Sequence, residues 1–264
     1  VGAGGGVSIF QSQNITLRGN IILGNIAAYA DATGTASSGG GLRVSSGCAN
    51  IVLENNIIAR NQAPYAGSGL LFVPTSGENL VVTLRHNTIA DNRLSESANR
   101  RISESANQRI SESRIMNQDS VDGRLAELAN DSLLLTPYPL LPNSSLSAVP
   151  QESQGIMTVY NVTLNAVNTI IAGHTKGIFE LFPGEGDLRV NFTLWYDNIH
   201  NADLTVIRTN DRYGDPAFVN PAGGDYHIGV TSAARDVGLN IGVTTDIDGD
   251  VRDAQPDIGA DEYR

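Results

Sequence analysis

One short phrase comes round five times along this chain, and its spacing restricts the fold more than any other feature. Asn20-Ile21-Ile22-Leu23-Gly24-Asn25 returns as Asn56-Ile57-Ile58-Ala59-Arg60-Asn61, as Asn87-Thr88-Ile89-Ala90-Asp91-Asn92 and as Thr169-Ile170-Ile171-Ala172-Gly173-His174. A blurred copy is Thr193-Leu194-Trp195-Tyr196-Asp197-Asn198. The copies end at residues 25, 61, 92, 174 and 198, so the steps are 36, 31, 82 and 24. One long step apart, this is the spacing of a solenoid whose turn takes about two dozen residues and whose loops vary in length.

The repeated units read as strands. Ile15 and Leu17, Ile51 and Leu53, Val82 and Leu84, and Val162 and Leu164 alternate just ahead of four copies. Period two places such side chains on one face of a strand, and the Ile, Val and Thr around them suit a pleated, half-buried surface. Gly39-Gly40-Gly41, Gly67-Ser68-Gly69 and Pro183-Gly184-Glu185-Gly186 punctuate the copies as turns. A single turn cannot bury its apolar face alone. Stacked turns do, and an Asn repeated at the corner can bond to its counterparts as a ladder.

The step of 82 holds an insertion of about 58 residues, counting one turn as about 24. It runs from about residue 94 to 154. Its first part repeats every eight residues, as in Arg101-Ile102-Ser103-Glu104-Ser105-Ala106-Asn107-Gln108. Three copies of the octamer CGAATCAG translate as that same string. The hypothesis is an eight-base repeat expansion, which returns to frame after three copies; codons unrelated to an octamer in the gene would refute it. Ala, Glu, Gln and Arg, with Glu96 and Arg100 four apart, favour helix there. Leu133 to Leu141, with Pro137 and Pro139, reads as an extended apolar arm that folds back on the coil or docks on a neighbour.

Net charge is −11, which argues against nucleic acid or an anionic membrane surface as partner. No run reaches the ~20 apolar residues of a membrane span. Cys48 is the single cysteine, so no internal disulfide forms. The first strand-like segment, Gly4 to Phe10, opens almost at the first residue without an amphipathic helix to cap it. Open solenoid ends expose apolar side chains and unpaired strand groups. Either the chain is a fragment or another molecule supplies the cap; in the second case self-association through the solenoid ends and the insertion arm is expected, and contact between unlike ends gives an open filament when the rotation does not close.

The last quarter carries the most specific motifs. They are Asp215-Pro216-Ala217-Phe218, Ser232-Ala233-Ala234-Arg235-Asp236-Val237-Gly238, Asp246-Ile247-Asp248-Gly249-Asp250-Val251-Arg252 and Asp257-Ile258-Gly259-Ala260-Asp261-Glu262-Tyr263. With the repeats, they resemble the end of bacterial right-handed parallel β-helix proteins of the pectate-lyase-like superfamily, in the group called choice-of-anchor proteins. The resemblance does not cover the insertion. It implies an all-β, right-handed parallel β-helix solenoid over residues 1–210 and a β-rich tail module over 211–264; the long partly helical insertion at about 94–154 rests on the spacing and residue preferences above. It also implies a secreted or cell-surface location and a non-catalytic structural or adhesive role.

The alternative is a polysaccharide-binding or polysaccharide-cleaving enzyme, because relatives of this superfamily include lyases and hydrolases of acidic polysaccharides. The lyases, by resemblance, use a basic residue to abstract a proton and often calcium to neutralise a carboxylate. The one lysine, Lys176, lies beside His174 in what reads as a solvated turn. Hydrolases need clustered carboxylates. Asp91 and Asp197 share a position in their turns, but an intervening turn separates them and no partner is evident, so they read as solvated corners. No catalytic residue is assigned. The candidate metal ligands are Asp246, Asp248 and Asp250, which alternate and offer the oxygens that calcium takes. Gly249 stands fourth in that run, not sixth, so it is no EF-hand loop. The structural alternative has Asp248 and Asp257 capping turns or pairing with Arg235 and Arg252. No cofactor other than calcium is expected.

Overall fold

The computed structural model describes residues 5–27, 38–64, 66–95 and 152–264. The expected helical insertion and apolar arm lie outside the described residues. Within them the chain winds through six turns of three strands each. The first turn is β1 (Val7–Ile9), β2 (Gln13–Arg18) and β3 (Ile21–Leu23). The second is β4 (Leu42–Ser45), β5 (Ala49–Glu54) and β6 (Ile57–Ala59), followed by the short β7 (Gln62–Ala63). The third is β8 (Leu70–Val73), β9 (Leu80–Arg85) and β10 (Thr88–Ala90), followed by β11 (Arg93–Leu94). Then come β12 (Gln154–Thr158), β13 (Val162–Val167) and β14 (Ile170–Ala172), and β15 (Lys176–Glu180), β16 (Asp187–Asn191) and β17 (Leu194–Tyr196). The last turn is β18 (His200–Ala202), β19 (Ile207–Thr209) and β20 (Arg212–Tyr213).

Corresponding strands pair in parallel, giving three six-stranded sheets. Sheet A runs β1-β4-β8-β12-β15-β18, sheet B β2-β5-β9-β13-β16-β19 and sheet C β3-β6-β10-β14-β17-β20. This all-β stack of parallel sheets fits a β-helix solenoid. The long insertion leaves no mark on the register: β8 pairs β12 with Leu70 against Ile156, as β4 pairs β8 with Leu42 against Leu70. The repeated phrase becomes sheet C, and the alternation ahead of it becomes sheet B. The sixth turn carries no copy of the phrase, yet Arg212 pairs with Leu194 and Tyr213 with Trp195. Backbone pairing extends the stack one turn past the legible repeat.

The interior consists of columns of like residues. Ile15, Ile51, Val82, Leu164 and Leu188 stack along sheet B, and Ile22, Ile58, Ile89, Ile171 and Trp195 along sheet C. Most are fully buried, each worth roughly 1.5–3 kcal/mol. Two ladders of polar side chains run beside them. Asn20 Nδ2 donates to Asn56 Oδ1 (2.9 Å), and Asn56 Nδ2 to Asn87 Oδ1 (3.0 Å). Asn25 donates to Asn61 and Asn61 to Asn92, both at 2.9 Å. The glycines read as turns have a further task. Gly6, Gly41, Gly69, Gly155 and Gly177 lie where sheet A begins, and an added Cβ at Gly41 would sit 2.8 Å from the Gly69 carbonyl oxygen and 2.9 Å from Asn61 Nδ2. The close approach that lets the ladder form excludes a side chain there.

Residues 215–264 form a tail laid on the outer face of sheet C. It contains the antiparallel hairpin β21 (Phe218–Asn220) and β22 (Asp225–Ile228), joined by a single 3-10 turn, and an isolated bridge between Thr245 and Val251. Tyr226, Ile228, Ala234, Ile258 and Ala260 pack on Ile57, Ala59, Ala90, Ile170 and Leu194. The short strands of sheet C are therefore apolar on both faces. No described helix is long and apolar enough to cross a membrane.

Candidate functional site

Each turn bends out of sheet B and again out of sheet C at a residue with positive φ. The first row is Gly19, Asn55, His86, Asn168, Phe192 and Asn210, and the second Gly24, Arg60, Asp91, Gly173 and Asp197, with φ between 48° and 73°. Asn, Asp and Gly reach this left-handed region at least cost. These corner side chains are not held by the core columns, and the tail is fastened to both rows.

On the first row, Asn55 Nδ2 donates to the Thr245 carbonyl (2.6 Å), and Asn168 exchanges two bonds with the Leu239 backbone (2.7 and 2.9 Å). Arg252 Nη2 donates to Asn55 Oδ1 (3.2 Å) and to the carbonyls of Gly259 and Ala260 (2.9 Å each), while Nη1 meets Glu262 Oε2 at 3.0 Å. The side chains of this ion pair are 1% and 4% exposed. The bonds to both Nη atoms offset the cost of burying the pair, while Arg252 Nε has no partner among the described residues. His86 takes a bond from Asn168 Nδ2 at 2.8 Å. Burial, then the Arg252 charge, pushes its pKa down to about 3, against the Asp257 and Gly259 carbonyls. Its Nδ1 has no well-aligned partner. Asp257 accepts from the amides of Asp236 (2.6 Å) and Tyr263 (2.8 Å), yet burial raises its pKa to about 6.

On the second row, Arg60 Nη1 donates to the Ala222 carbonyl (2.7 Å) and Tyr226 OH to Asp91 Oδ2 (2.7 Å). Burial and that bond to Asp91 raise the Tyr226 pKa. A cleft of about 280 Å³ opens here, lined by Asp91, Asp197, Asp215 and Tyr196, with Phe218 and Pro221 from the tail. Asp91, expected as a solvated corner without a partner, is half-buried and accepts from Tyr226, whereas Asp197 is exposed, as expected of a solvated corner. Gly173, on the turn between them, lacks a side chain, and Asp91 Oδ1 occupies the space its Cβ would fill. Asp215 reaches the same cleft from the tail, accepts from the Ala217 amide at 2.7 Å and raises the Tyr196 pKa. The cleft offers carboxylate oxygens and a phenol to hydroxyl-bearing or cationic ligands. Asp215 was invisible as a member because only the docked tail brings it to the corner row.

Lys176 opens β15, where a solvated turn was expected. Its Nζ lies 3.9 Å from Glu152 Oε2, 3.7 Å from Asp203 Oδ1 and 4.3 Å from the centre of the Phe179 ring. Neighbouring His174 is buried in the ladder.

Asp246, Asp248 and Asp250 lie on one turn but face different partners. Asp246 is buried; its Oδ1 accepts from the amides of Asp248 (3.0 Å) and Asp250 (2.8 Å), and its Oδ2 from Glu262 (3.0 Å). It is the turn's cap. Asp250 Oδ1 lies 4.0 Å from Arg264 Nε. Asp248 Oδ2 lies 2.9 Å from His227 Nε2, and His227, Asp248 and Asp261 bring ligand atoms within 4.8 Å of one another. Of the structural alternative, Asp257 caps backbone through the amides of Asp236 and Tyr263, while the arginine pairing does not form: Arg252 takes Glu262, and Arg235 lies over the Tyr263 ring, 4.3 Å from its centre.

Comparison with family models, with curated proteins and with solved structures gives no match to this chain.

Proposed function

We propose that the protein is a non-catalytic structural or adhesive β-helix element, secreted or displayed at the cell surface, and that copies associate end to end. The proposal takes the stack as right-handed and of the pectate-lyase-like, choice-of-anchor kind, as the motifs of the tail imply. The observation that carries it is the use made of the buried charges. Arg252, Glu262, Asp257 and Asp246 bond to one another and to backbone within the tail, Arg252 also ties the tail to Asn55 of the stack, Glu54 sits between Arg18 (2.7 Å) and Arg85 (3.6 Å), and Lys176 lies between two carboxylates. These groups hold the chain together and are not available to a substrate.

The two ends of the described stack are unlike and both apolar. Phe10, Ile21, Leu23 and Ile26 are exposed at the first turn, and Ile199, Leu204, Ile207 and Tyr213 at the sixth. Contact between these unlike ends would be head to tail, with the insertion arm as a further contact. Negative-stain electron microscopy with light scattering across a concentration series tests the reading. Fibres or rods that shorten in an Ile21→Glu, Ile207→Glu variant are expected; dispersed monomers at high concentration refute it.

The Asp91, Asp197, Asp215 and Tyr196 cleft favours a second reading, binding or cleavage of a polysaccharide. Release of reducing ends from acidic and neutral polysaccharides, abolished by Asp197→Asn or Asp215→Asn, would replace the first reading with this one.

A further inference from the structure

We propose that His227, Asp248 and Asp261 form a binding site for a divalent transition-metal ion of the zinc class, and that the ion staples the tail closed. The site is independent of the end-to-end reading.

His227 lies on β22, Asp248 on the turn that Asp246 caps, and Asp261 in the last described segment of the chain. These segments meet only because the tail is folded over sheet C. His227 Nδ1 lies 2.6 Å from Asp225 Oδ1, and the same oxygen accepts the His227 amide at 3.1 Å. That contact fixes the ring and turns Nε2 toward Asp248. A histidine ligand commonly has its second nitrogen fixed by a carboxylate in this way.

Nε2 lies 2.9 Å from Asp248 Oδ2, yet this buried nitrogen has no hydrogen-bond partner, because the approach is not along a hydrogen-bonding direction. Two ligand atoms that face a common third atom have this relation. In a tetrahedral zinc site a nitrogen and an oxygen each about 2.1 Å from the ion are about 3.4 Å apart, so binding would part the two atoms by about 0.5 Å. Asp261 completes the group. Its side chain is nearly buried, and the Ile228 amide holds its Oδ2 at 2.8 Å.

The charge balance points the same way. Asp225, Asp248 and Asp261 gather around one imidazole, and the arginines of the tail are engaged elsewhere: Arg252 with Glu262, Arg235 with Tyr263 and the Val230 carbonyl (2.7 Å), and Arg264 with Asp250 and the Val251 carbonyl. The imidazole nitrogen sets the class of ion. Calcium and magnesium take oxygen ligands, whereas one nitrogen with carboxylate oxygens suits zinc and its neighbours.

The test uses the full chain, stripped with a chelator and exchanged into metal-free buffer. Zinc, manganese and calcium are each titrated calorimetrically, and melting is followed with and without each ion. One zinc per chain is expected, with a rise in Tm on binding. His227→Gln should weaken zinc about 100-fold and remove the rise; Asp250→Asn should change neither. Asp225→Asn should weaken zinc about 10-fold, as loss of an orienting carboxylate does. Cobalt provides a second readout: ligand-field bands of an imidazole-bound ion are expected in the wild type, and shifted bands in Asp225→Asn. Zinc binding equal in wild type and His227→Gln, or calcium bound in preference to zinc, overturns the assignment. If His227→Gln does not fold, the wild-type cobalt spectrum decides, and the spectrum of the hydrated ion alone overturns it.

Discussion

The ladder that runs Asn25, Asn61, Asn92 is completed by His174 and Asn198, and this one histidine should make the fold acid-sensitive. Asn92 Oδ1 accepts from both the amide and Nδ2 of Asn61 (3.0 and 2.9 Å), so the Asn92 side chain cannot turn over. It must present Nδ2 to His174 Nε2, at 3.3 Å, while His174 Nδ1 donates to Asn198 Oδ1 at 3.3 Å. Protonation of Nε2 sets donor against donor inside a buried column. Burial accordingly pushes the His174 pKa down from 6.5 to about 4, with the Asn198 bond opposing. A group whose pKa is depressed on folding favours the folded state above its unfolded pKa, and this is lost as pH falls toward the folded value. For a shift from 6.5 to about 4, roughly 1 kcal/mol is lost by pH 5.5 and about 3 kcal/mol by pH 4, relative to pH 7. The measurement is denaturant unfolding of wild type and His174→Asn at pH 7, 5.5 and 4. His86 and the carboxylates titrate in both proteins and cancel in the difference. At pH 7 the variant should be the less stable, because Asn leaves a gap where the ring packed. By pH 4 the difference should move about 3 kcal/mol in its favour. A difference between the two proteins that stays constant with pH would show that His174 is not held neutral, and the ladder argument would be wrong.

Other perturbations probe other parts of the fold. An added Cβ in Gly69→Ala falls on the Gly155 carbonyl oxygen and lies 2.9 Å from Asn92 Nδ2, so the variant should lose about 3 kcal/mol or fail to fold, read by urea unfolding. Glu262→Gln leaves the Arg252 charge buried without its counter-ion and should cost about 3–5 kcal/mol, with residues 215–264 the first to lose protection in hydrogen exchange. Asp257 has its pKa raised to about 6, so its contribution is fully present below the unfolded value near 3.8 and is lost as pH rises through 6. Wild type should therefore lose about 2 kcal/mol relative to Asp257→Asn between pH 4 and pH 7.5, and parallel stability curves would refute the shift. Glu180 sits at the end of the inner column Ile9, Val44, Phe72, Thr158 and accepts from Gly184 (3.0 Å), Gly186 (2.8 Å) and Thr205 (2.7 Å). Glu180→Leu fits the column but strands those donors; a drop in Tm is expected and an unchanged Tm counts against it.

The stack was legible because its forces repeat. An Ile in the middle of the phrase meets the Ile of the next turn, and an Asn at the corner meets the next Asn, so one physical rule writes itself into the sequence at each step. Where backbone pairing alone suffices, the signal disappears. Arg212 and Tyr213 continue sheet C with none of the phrase present, and the Ala202 column position differs from the Ile178 before it. The glycine column was visible but misread. Gly41 and Gly69 look like turn formers in one dimension, and only the stacked turns reveal them as places where two backbones pass too close for a methyl group.

The candidate sites were legible by composition and not by arrangement, for a reason that lies in the fold itself. Inward positions on a stacked coil are constrained by the turn before and the turn after, so they repeat. The left-handed corners are constrained only in φ, so Gly24, Arg60, Asp91, Gly173 and Asp197 differ freely. Chemistry on such a molecule collects at those corners, where repetition cannot point to it. It also collects where a non-repeating segment crosses the corners. Asp215 joins Asp91 and Asp197, and His227 joins Asp248 and Asp261, through contacts that no period encodes. The alternation of Asp246, Asp248 and Asp250 does not tell their tasks apart: Asp246 faces inward and holds three amides of its own chain. A carboxylate that fixes a turn and a carboxylate that awaits a cation have the same letter in the sequence. What separates them is whether backbone N–H groups already occupy the oxygens.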